Sequence, residues 1–448
     1  VTQCFETCYP STNPGNLSLR TQADYYIRHT MHAHAWKIPL IRFGLIMDVG
    51  NSYYYSNWGS SGFAFKMPEP SVKPSFVAWA TMSRVLDGAK YQGKMELGSH
   101  SLFTVHFKRP DGRHVYVFWT PRGERAVYFK AHTPDRWKRV DSQGNQRPTT
   151  TRDGMLHVTL DSTPRYLVGP GELSVGRLDA PDHSDGAPAE TAQPVATLDT
   201  LDRWTVQREK DLELETHNPF APRRKGNFTF EAVDQFEGRD NVIRVTPRPI
   251  DHGKATMPMY GAIELDKPVT LPGKPGAIGV WVNGNSSWGR VIFELVDADG
   301  ERWISIGASR KSGISRWMQD WMPREMVIQK QSDLTMASWN TNDLFGYSRL
   351  DFDGWRFVRM PAPGNFPGEG YHWPIGSQWK HTDDGVVQYP VKLKRLILEL
   401  PEKVLHITEY EPPRRKTLYL DQITVEPQTD EWLAPAGPGY QRSHYGAR

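Results

Sequence analysis

The sequence predicts a mainly β protein that begins with βα units. The 448 residues include 38 Gly, 35 Pro and 12% aromatic residues, a composition typical of turn-rich β structure. From residue 90 onward, apolar and polar residues repeatedly alternate with a period of two, the period of a half-buried strand. A length of 448 residues suggests about three domains.

Residues 1–87 predict two consecutive βα units. Ser18 is a suitable helix N-cap, and Pro74 and Gly88 are typical first and last residues of a second helix. Because two units cannot bury both faces of their strands and helices, we expect this region to be part of a larger domain. The predicted elements are strand 1–5, helix 19–35, strand 38–47 and helix 75–86.

Residues 88–170 predict a small antiparallel β domain. Its first two strands flank Pro110-Asp111-Gly112, which is a hairpin signal. The predicted strands are 101–108, 113–120, 125–130, 138–141, 155–160 and 165–168.

Residues 171–197 lose this periodicity and predict a linker rich in Pro, Ala and acidic residues. Residues 198–427 predict a larger antiparallel sandwich or jelly roll, and residues 428–448 a loose tail. Its predicted strands are 241–246, 277–282, 290–295, 303–306, 355–360, 393–400 and 417–425.

Charge and hydropathy argue against a nucleic-acid-binding protein and against a membrane-spanning helix. The 54 basic and 51 acidic residues nearly cancel, and we expect no nucleic-acid partner because no basic stripe stands out. No apolar run approaches the roughly 18 residues of a membrane span. Cys4 and Cys8 are the only cysteines, too few to fix the redox compartment. The chain starts at Val1 without an export signal, which says little if it begins inside a longer product.

Polar and aromatic residues follow the first two predicted strands. Glu6 ends the first strand, a position from which catalytic side chains project in α/β barrels. Asp48, Tyr54 and Trp58 follow the second strand, where rings beside polar groups suit a sugar. A solvated glutamate and a Tyr-rich loop covering the barrel mouth remain the alternatives. By spacing, the histidines of the first helix predict packing or surface roles and no metal site.

Nine of the 16 Trp residues lie between residues 281 and 379. Trp303 and Trp355 fall in strand patterns, which predicts core positions. Loop tryptophans among Gly, Asn and Ser are candidates for stacking on a sugar, with core or interface roles as the alternative. The candidates are Trp288, Trp339 and Trp373. Asp421, in a late strand, is a candidate ligand of a structural calcium; no other cofactor is expected.

Several stretches of the first 170 residues together resemble the C-terminal end of a clan A glycoside hydrolase, a (β/α)8 barrel followed by a small β-sandwich packed on it. Phe5-Glu6-Thr7 before YPSTN resembles the end of barrel strand seven, and IPLIRFGLIMD resembles strand eight. KPSFVAWATMSRVLDGA resembles the final barrel helix, and MLHVTLDSTPRYLVG resembles the last strands of the sandwich.

The resemblance implies a retaining glycosidase. Glu6 would be the nucleophile, and a second carboxylic acid about 5 Å away would be the acid/base. In this clan the acid/base follows strand four, so it lies outside this chain. The chain alone cannot be a complete glycosidase, and we expect the missing strands upstream in the same protein or in a second chain.

Residues 198–426 resemble a carbohydrate-binding sandwich of the galactose-binding-like type, mainly through DFDGWRFVRMPAP and the final strands. Together the resemblances imply a secreted or cell-surface glycoside hydrolase acting on a polysaccharide or oligosaccharide. The alternative is a non-catalytic carbohydrate-binding or structural surface protein on the same scaffold. A third reading makes the Trp-rich sandwich an assembly interface that buries Trp317 and Trp321.

Overall fold

The structure is a computed structural model in which the protein is mainly β. It describes residues 2–4, 19–43, 46–48, 61–66, 69–207, 224–225, 227–248, 258–300, 302–304, 350–362, 388–401, 404–405, 410–411 and 417–427. These residues form two compact units. Unit 1 comprises the described residues up to Asp185 with Leu405 and Tyr410, and unit 2 the remainder from Gly186.

Unit 1 begins with the predicted βα arrangement. The first elements are β1 (Thr2–Cys4), α1 (Leu19–Ala35), β2 (Ile41–Phe43), β3 (Ala64–Phe65), β4 (Ser71–Val72) and α2 (Pro74–Val85). β1 and β2 pair in parallel, with Cys4 opposite Phe43, as expected for strands joined by a helix. Strand β2 is shorter than the predicted 38–47.

The predicted small antiparallel sandwich follows in unit 1. Its strands are β5 (Lys90–Lys94), β6 (Phe103–Lys108), β7 (His114–Trp119), β8 (Arg125–Ala131), β9 (Lys138–Val140), β10 (Gln146–Pro148), β11 (Thr150–Arg152), β12 (Met155–Leu160), β13 (Arg165–Gly169) and β14 (Leu173–Leu178). One sheet has the order β10-β9-β13-β7-β6-β5 and the other β11-β12-β8-β14. A shared apolar core, with Phe118, Phe129 and Trp137 among its largest members, joins them.

Helix α1 packs on the first of these sheets through His32 and His34, which agrees with the predicted packing or surface role of its histidines. His32 makes edge contacts with the rings of Phe103 and Trp119, and His34 with that of Phe107. Burial lowers the pKa of His34. A neutral imidazole loses less hydration free energy than an imidazolium where it contacts an apolar ring, which fits the contact of His34 with Phe107.

Unit 2 contains two antiparallel sheets around one core. Its strands are β15 (Gln193–Ala196), β16 (Trp204–Gln207), β17 (Arg224–Lys225), β18 (Asn227–Phe236), β19 (Arg239–Arg248), β20 (Pro258–Thr270), β21 (Pro275–Asn283), β22 (Arg290–Val296), β23 (Arg302–Ile304), β24 (Trp355–Pro361), β25 (Lys392–Pro401) and β28 (Leu418–Pro427); a small pair, β26 (Val404–Leu405) and β27 (Tyr410–Glu411), precedes β28. One sheet has the order β18-β19-β28-β21-β24, and β16-β20-β25-β22-β23 forms the other; β15 and the short parallel strand β17 pair with β28 and β20. Residues of both sheets, such as Val280 and Phe293, share the core.

Two features of unit 2 differ from the sequence-based expectation. Gln193–Ala196, expected within a linker, is strand β15 and pairs with β28, because Ala196 can fill the core while the backbone extends the sheet. Trp355, expected in the core, is half-buried and projects away from it, since strand alternation gives the inward positions of β24 to residues such as Val358. In the described part of the chain, neither helix has the length and hydropathy of a membrane crossing.

Candidate functional site

Asp48, predicted to bind substrate, lies beyond the carboxyl end of β2. The chain leaves β2 at Phe43, and Met47 then bridges to Ala64 in parallel. The Asp48 N–H donates to the Ala64 carbonyl at 2.9 Å. Asp48 therefore follows a strand of the parallel pair, the position at which α/β proteins collect functional side chains.

The Asp48 carboxylate forms a fully buried ion pair. Its Oδ1 accepts hydrogen bonds from the Lys73 ammonium at 2.7 Å and from the Gly62 N–H at 2.9 Å. Both charged side chains are 0% exposed. A Cβ on Gly62 would lie 2.5 Å from the Asp48 nitrogen, so only glycine fits there. Burial raises the pKa of Asp48 above its usual value, although the Lys73 ammonium offsets part of this effect.

This ion pair fixes the position of Asp48 and engages only one of its two carboxylate oxygens. Among the described residues, Asp48 Oδ2 has no hydrogen-bond partner although it is buried. Because this oxygen is buried, it can position a neighbouring side chain, and a ligand hydroxyl could reach it only by entering the buried site. Direct contact between Asp48 and substrate stays a prediction.

A second candidate lies on the outward face of a unit 2 sheet, which carries a cluster of half-buried rings. We call it the aromatic face: Phe236, Trp281, Trp355 and Tyr419. Strand alternation produces it, because residues flanking these positions, such as Val280, point into the core.

Strand register aligns this face in two rows. Asn283 is opposite both Trp355 on β24 and Tyr419 on β28. Trp281 is opposite Asp421 on β28. The rows therefore combine planar rings with an amide and a carboxylate on adjacent strands.

The β18–β19 hairpin adds a ring and a cation. Residues 237–238 form its two-residue turn with φ of 43° and 79°, the type I′ signature, and place Phe236 opposite Arg239. The Phe236 ring stacks on Tyr419 with centroids 3.5 Å apart. The Arg239 guanidinium lies 3.8 Å from the centre of the Trp281 ring.

Polar groups fill the spaces between the rings. Arg239 forms an ion pair with Asp421, and Asn283 Nδ2 donates to Glu237 at 2.7 Å. Trp355 Nε1 donates to a backbone carbonyl at 3.2 Å. Rings beside donors and acceptors match a sugar, whose C–H face packs on a ring while its hydroxyls form hydrogen bonds.

Asp421, predicted as a calcium ligand, is engaged by protein groups. Its Oδ2 pairs with Arg239, and its Oδ1 accepts from the Gln422 N–H at 2.6 Å. The described residues contain no group of three or more His, Cys, Asp or Glu side chains placed to hold a metal ion. The guanidinium already supplies a positive charge at this carboxylate, and calcium there stays a prediction.

The remaining predicted site residues are placed as follows. Trp288 is half-buried with φ of 59°, and its backbone N–H donates to the Leu350 carbonyl at 3.0 Å. The others lie outside the described residues: Glu6, Tyr54, Trp58, Trp339 and Trp373.

Sequence reasoning missed most of the aromatic face. Its residues come from segments far apart in the chain, and no local spacing links the hairpin of Phe236 and Arg239 to Asn283 or Tyr419. The one local signal is Glu237-Gly238 between alternating residues, which is a hairpin turn that would have placed Phe236 opposite Arg239.

Comparison with known proteins gives three structural likenesses. No protein-family model matches the chain, and no curated protein matches its sequence. A family 39 glycoside hydrolase from the gut symbiont Bacteroides cellulosilyticus WH2 is 22% identical, with TM-score 0.29, over 33% of this chain and 30% of that one. The catalytic domain of GH30 xylanase C from Talaromyces cellulolyticus is 16% identical, with TM-score 0.25, over 39% and 38%.

The third likeness is to the family 11 carbohydrate-binding module of the cellulosomal cellulase Lic26A-Cel5E of Clostridium thermocellum. It is 10% identical, with TM-score 0.25, over 54% of this chain and 96% of that one. The chain thus spans about 30% of the family 39 enzyme and 38% of the xylanase domain. These TM-scores are too low to establish a shared overall fold.

Proposed function

We propose that this chain is the C-terminal part of a secreted or cell-surface glycoside hydrolase acting on a polysaccharide, and that unit 2 is its carbohydrate-binding sandwich. The aromatic face carries the binding part of this proposal. It combines Trp355 and Tyr419 with the donors and acceptors of Arg239, Asn283 and Asp421 on one outward sheet surface.

Sugar binding follows from what this face offers. Arg239 covers the Trp281 ring at 3.8 Å and lies 5.2 Å from the Trp355 ring, while Phe236 stacks on one face of Tyr419. Trp355 and the second face of Tyr419 are therefore the rings proposed to pack on the sugar. Protein partners hold Arg239 and Asn283 in place, which reduces the entropy lost when a ligand binds.

The binding test compares variants of unit 2 in the whole chain. Trp355→Ala should weaken binding to an insoluble polysaccharide panel by about 10- to 30-fold, the cost of a central aromatic contact. Trp355→Phe should retain part of the affinity because it keeps a ring. Lys392→Ala removes an exposed residue of the other sheet and should change nothing. Equal affinity of Trp355→Ala and wild type, with circular dichroism showing both folded, would reject the aromatic face.

The proposed catalytic part has Glu6 as the nucleophile of a retaining mechanism, with the acid/base outside this chain. The parallel pairing of β1 and β2 supports it. Cys4 lies opposite Phe43, so Glu6 and Asp48 follow strands that end at the same sheet edge. Glu6 would form the glycosyl-enzyme bond as the leaving group departs, and water would then cleave that bond. Asp48, Tyr54 and Trp58 would contact the substrate.

A covalent trap tests the catalytic proposal on a chain that includes the sequence upstream of Val1. An activated 2-deoxy-2-fluoroglycoside should label the peptide containing Glu6, and Glu6→Gln should abolish labelling. Glu69→Gln, a change of the same kind, should label normally. Label on another carboxylate of the full protein would overturn the assignment of Glu6. No label on any carboxylate, together with intact binding by unit 2, would favour the non-catalytic alternative.

A further inference from the structure

Unit 1 contains a cavity of about 600 Å³ that gathers four guanidinium groups. We call it the arginine cavity: Arg20, Arg139, Arg147 and Arg165. Its volume lies within the roughly 300–1,000 Å³ range of small-molecule sites. The remaining lining includes Asp24, Asp141, Asn145 and Thr163.

Two of these arginines face each other and form no ion pair with a described residue, although the charge of Arg147 helps to lower the pKa of the nearby Asp141 carboxyl. Arg139 on β9 is directly opposite Arg147 on β10, and neither guanidinium has a hydrogen-bond or salt-bridge partner among the described residues. Like charges in directly opposed positions destabilise a strand pair. An alternative role for these charges is to discourage pairing between chains, because β10 is an edge strand. That role does not explain why the two arginines line a cavity.

The other two arginines are held in fixed positions. Arg20 donates to the Thr163 hydroxyl at 2.7 and 3.2 Å, and Arg165 pairs with Asp161 and donates to a backbone carbonyl at 3.1 Å. The Asp141 carboxylate accepts from the Gln143 and Asn145 N–H groups, each at 2.9 Å, within the hairpin turn. Asp141 therefore serves the turn.

Two further features at the cavity indicate a ligand. Asp24 is 3% exposed, and its Oδ1 has no hydrogen-bond partner among the described residues. Because burial raises the pKa of Asp24 to about 7, its carboxyl can be neutral and donate a hydrogen bond to an oxyanion. Both helices begin at the cavity, α1 at Leu19 beside Arg20 and α2 at Pro74. Helix N-termini carry a partial positive charge that favours anions.

We propose that the arginine cavity binds an oxyanion substituent, carboxylate or sulfate ester, of an acidic polysaccharide. This inference rests on the proposed function for the polysaccharide, but the cavity itself lies entirely within unit 1. The two unpaired guanidiniums can grip an oxyanion through paired N–H···O bonds, which lysine cannot reproduce. Arg20 would complete the donor set.

The test removes two positive charges from each of two different cavities of unit 1. Arg139→Gln/Arg147→Gln changes the arginine cavity, whereas Arg136→Gln/Lys138→Gln removes the same charge from residues that line a different cavity. Calorimetry on the whole chain would compare polygalacturonate, a sulfated galactan, neutral galactan and inorganic phosphate. The first variant should bind at least one acidic polymer about tenfold or more weakly than wild type, while the second should lose much less.

Each outcome decides the proposal. A preference of wild type for polygalacturonate or for the sulfated galactan, lost only in the first variant, supports it and identifies the substituent. Equal losses in both variants, or equal binding of a single-stranded DNA oligomer, would reveal a diffuse basic surface and overturn it. Binding of inorganic phosphate alone would overturn the polysaccharide assignment. If the chain binds neutral galactan through Trp355 and shows no preference for acidic polymers, this inference is wrong and the proposed function still stands.

Discussion

Replacing Asp24 by asparagine should alter how the stability of unit 1 depends on pH. Asp24 is almost fully buried on α1, and the Thr163 hydroxyl hydrogen-bonds to its Oδ2 at 3.1 Å. Burial raises the pKa of Asp24 to about 7, although Arg28 and Arg20 lower it in part. The folded protein therefore favours a neutral carboxyl.

Proton linkage gives the sign and size of the effect. Between about pH 4 and 7 the folded state keeps a proton that the unfolded chain releases, so this stabilisation by Asp24 is lost as pH rises. A shift from 3.8 to about 7, at about 1.4 kcal/mol per unit, gives a loss of roughly 2 to 3 kcal/mol between about pH 5 and 8. Asparagine has no such proton, so D24N should gain that much relative to wild type.

The quantity to measure is the difference between variant and wild type. Burial lowers the pKa of several histidines in unit 1, among them His106 to about 4, which makes stability rise with pH over an overlapping range. The assay is urea unfolding of the whole chain across this pH range, followed by pulsed hydrogen exchange of unit 1 peptides. It isolates the contribution of Asp24 to the pH dependence of unit 1 stability. Asp87→Asn, at an exposed position, is the control. Parallel pH curves for D24N and wild type would refute a buried neutral carboxyl.

Two further changes test the packing of unit 1. Lys73→Met should cost about 3–5 kcal/mol, because it leaves the Asp48 carboxylate buried without its cation, and adding Asp48→Asn should restore much of the loss in urea unfolding. Gly169→Ala would place a Cβ about 2.1 Å from the Trp137 ring and should destabilise by about 1–3 kcal/mol or more. Gly171→Ala, with open space around it, should leave the melting temperature nearly unchanged, and equal melting of the two alanine variants would contradict the clash.

Local pattern predicted most elements but few tertiary relationships. Helix α1 is observed at the predicted 19–35 because helix formation depends mainly on residues within the segment itself. Strand β20 was missed, since a Gly and a register shift between Glu264 and Val269 interrupt its alternation. Alternation also shows that a strand has two faces without showing which is buried, which is why Trp355 was assigned to the core.

The candidate sites were less predictable than the fold. Asp48 was singled out because it follows a strand, a local property, but its buried partner Lys73 lies 25 residues later. The arginine cavity combines the start of α1 with the β9–β10 hairpin, more than 100 residues away. Register decides that Arg139 meets Arg147, and register depends on the turn as well as on composition.

Strand β28 lies at the centre of its sheet, between β19 and β21, although it is the last of these strands to be synthesised. From Asn227 to Pro427 about 200 residues must be made, which takes about 10–40 s on a ribosome. Throughout that interval the earlier strands lack the partner that joins them and expose their apolar faces. Unit 2 should therefore fold late and all at once, and a nascent chain stalled before Leu418 should be captured by chaperones while the sandwich of unit 1 is already protected from protease.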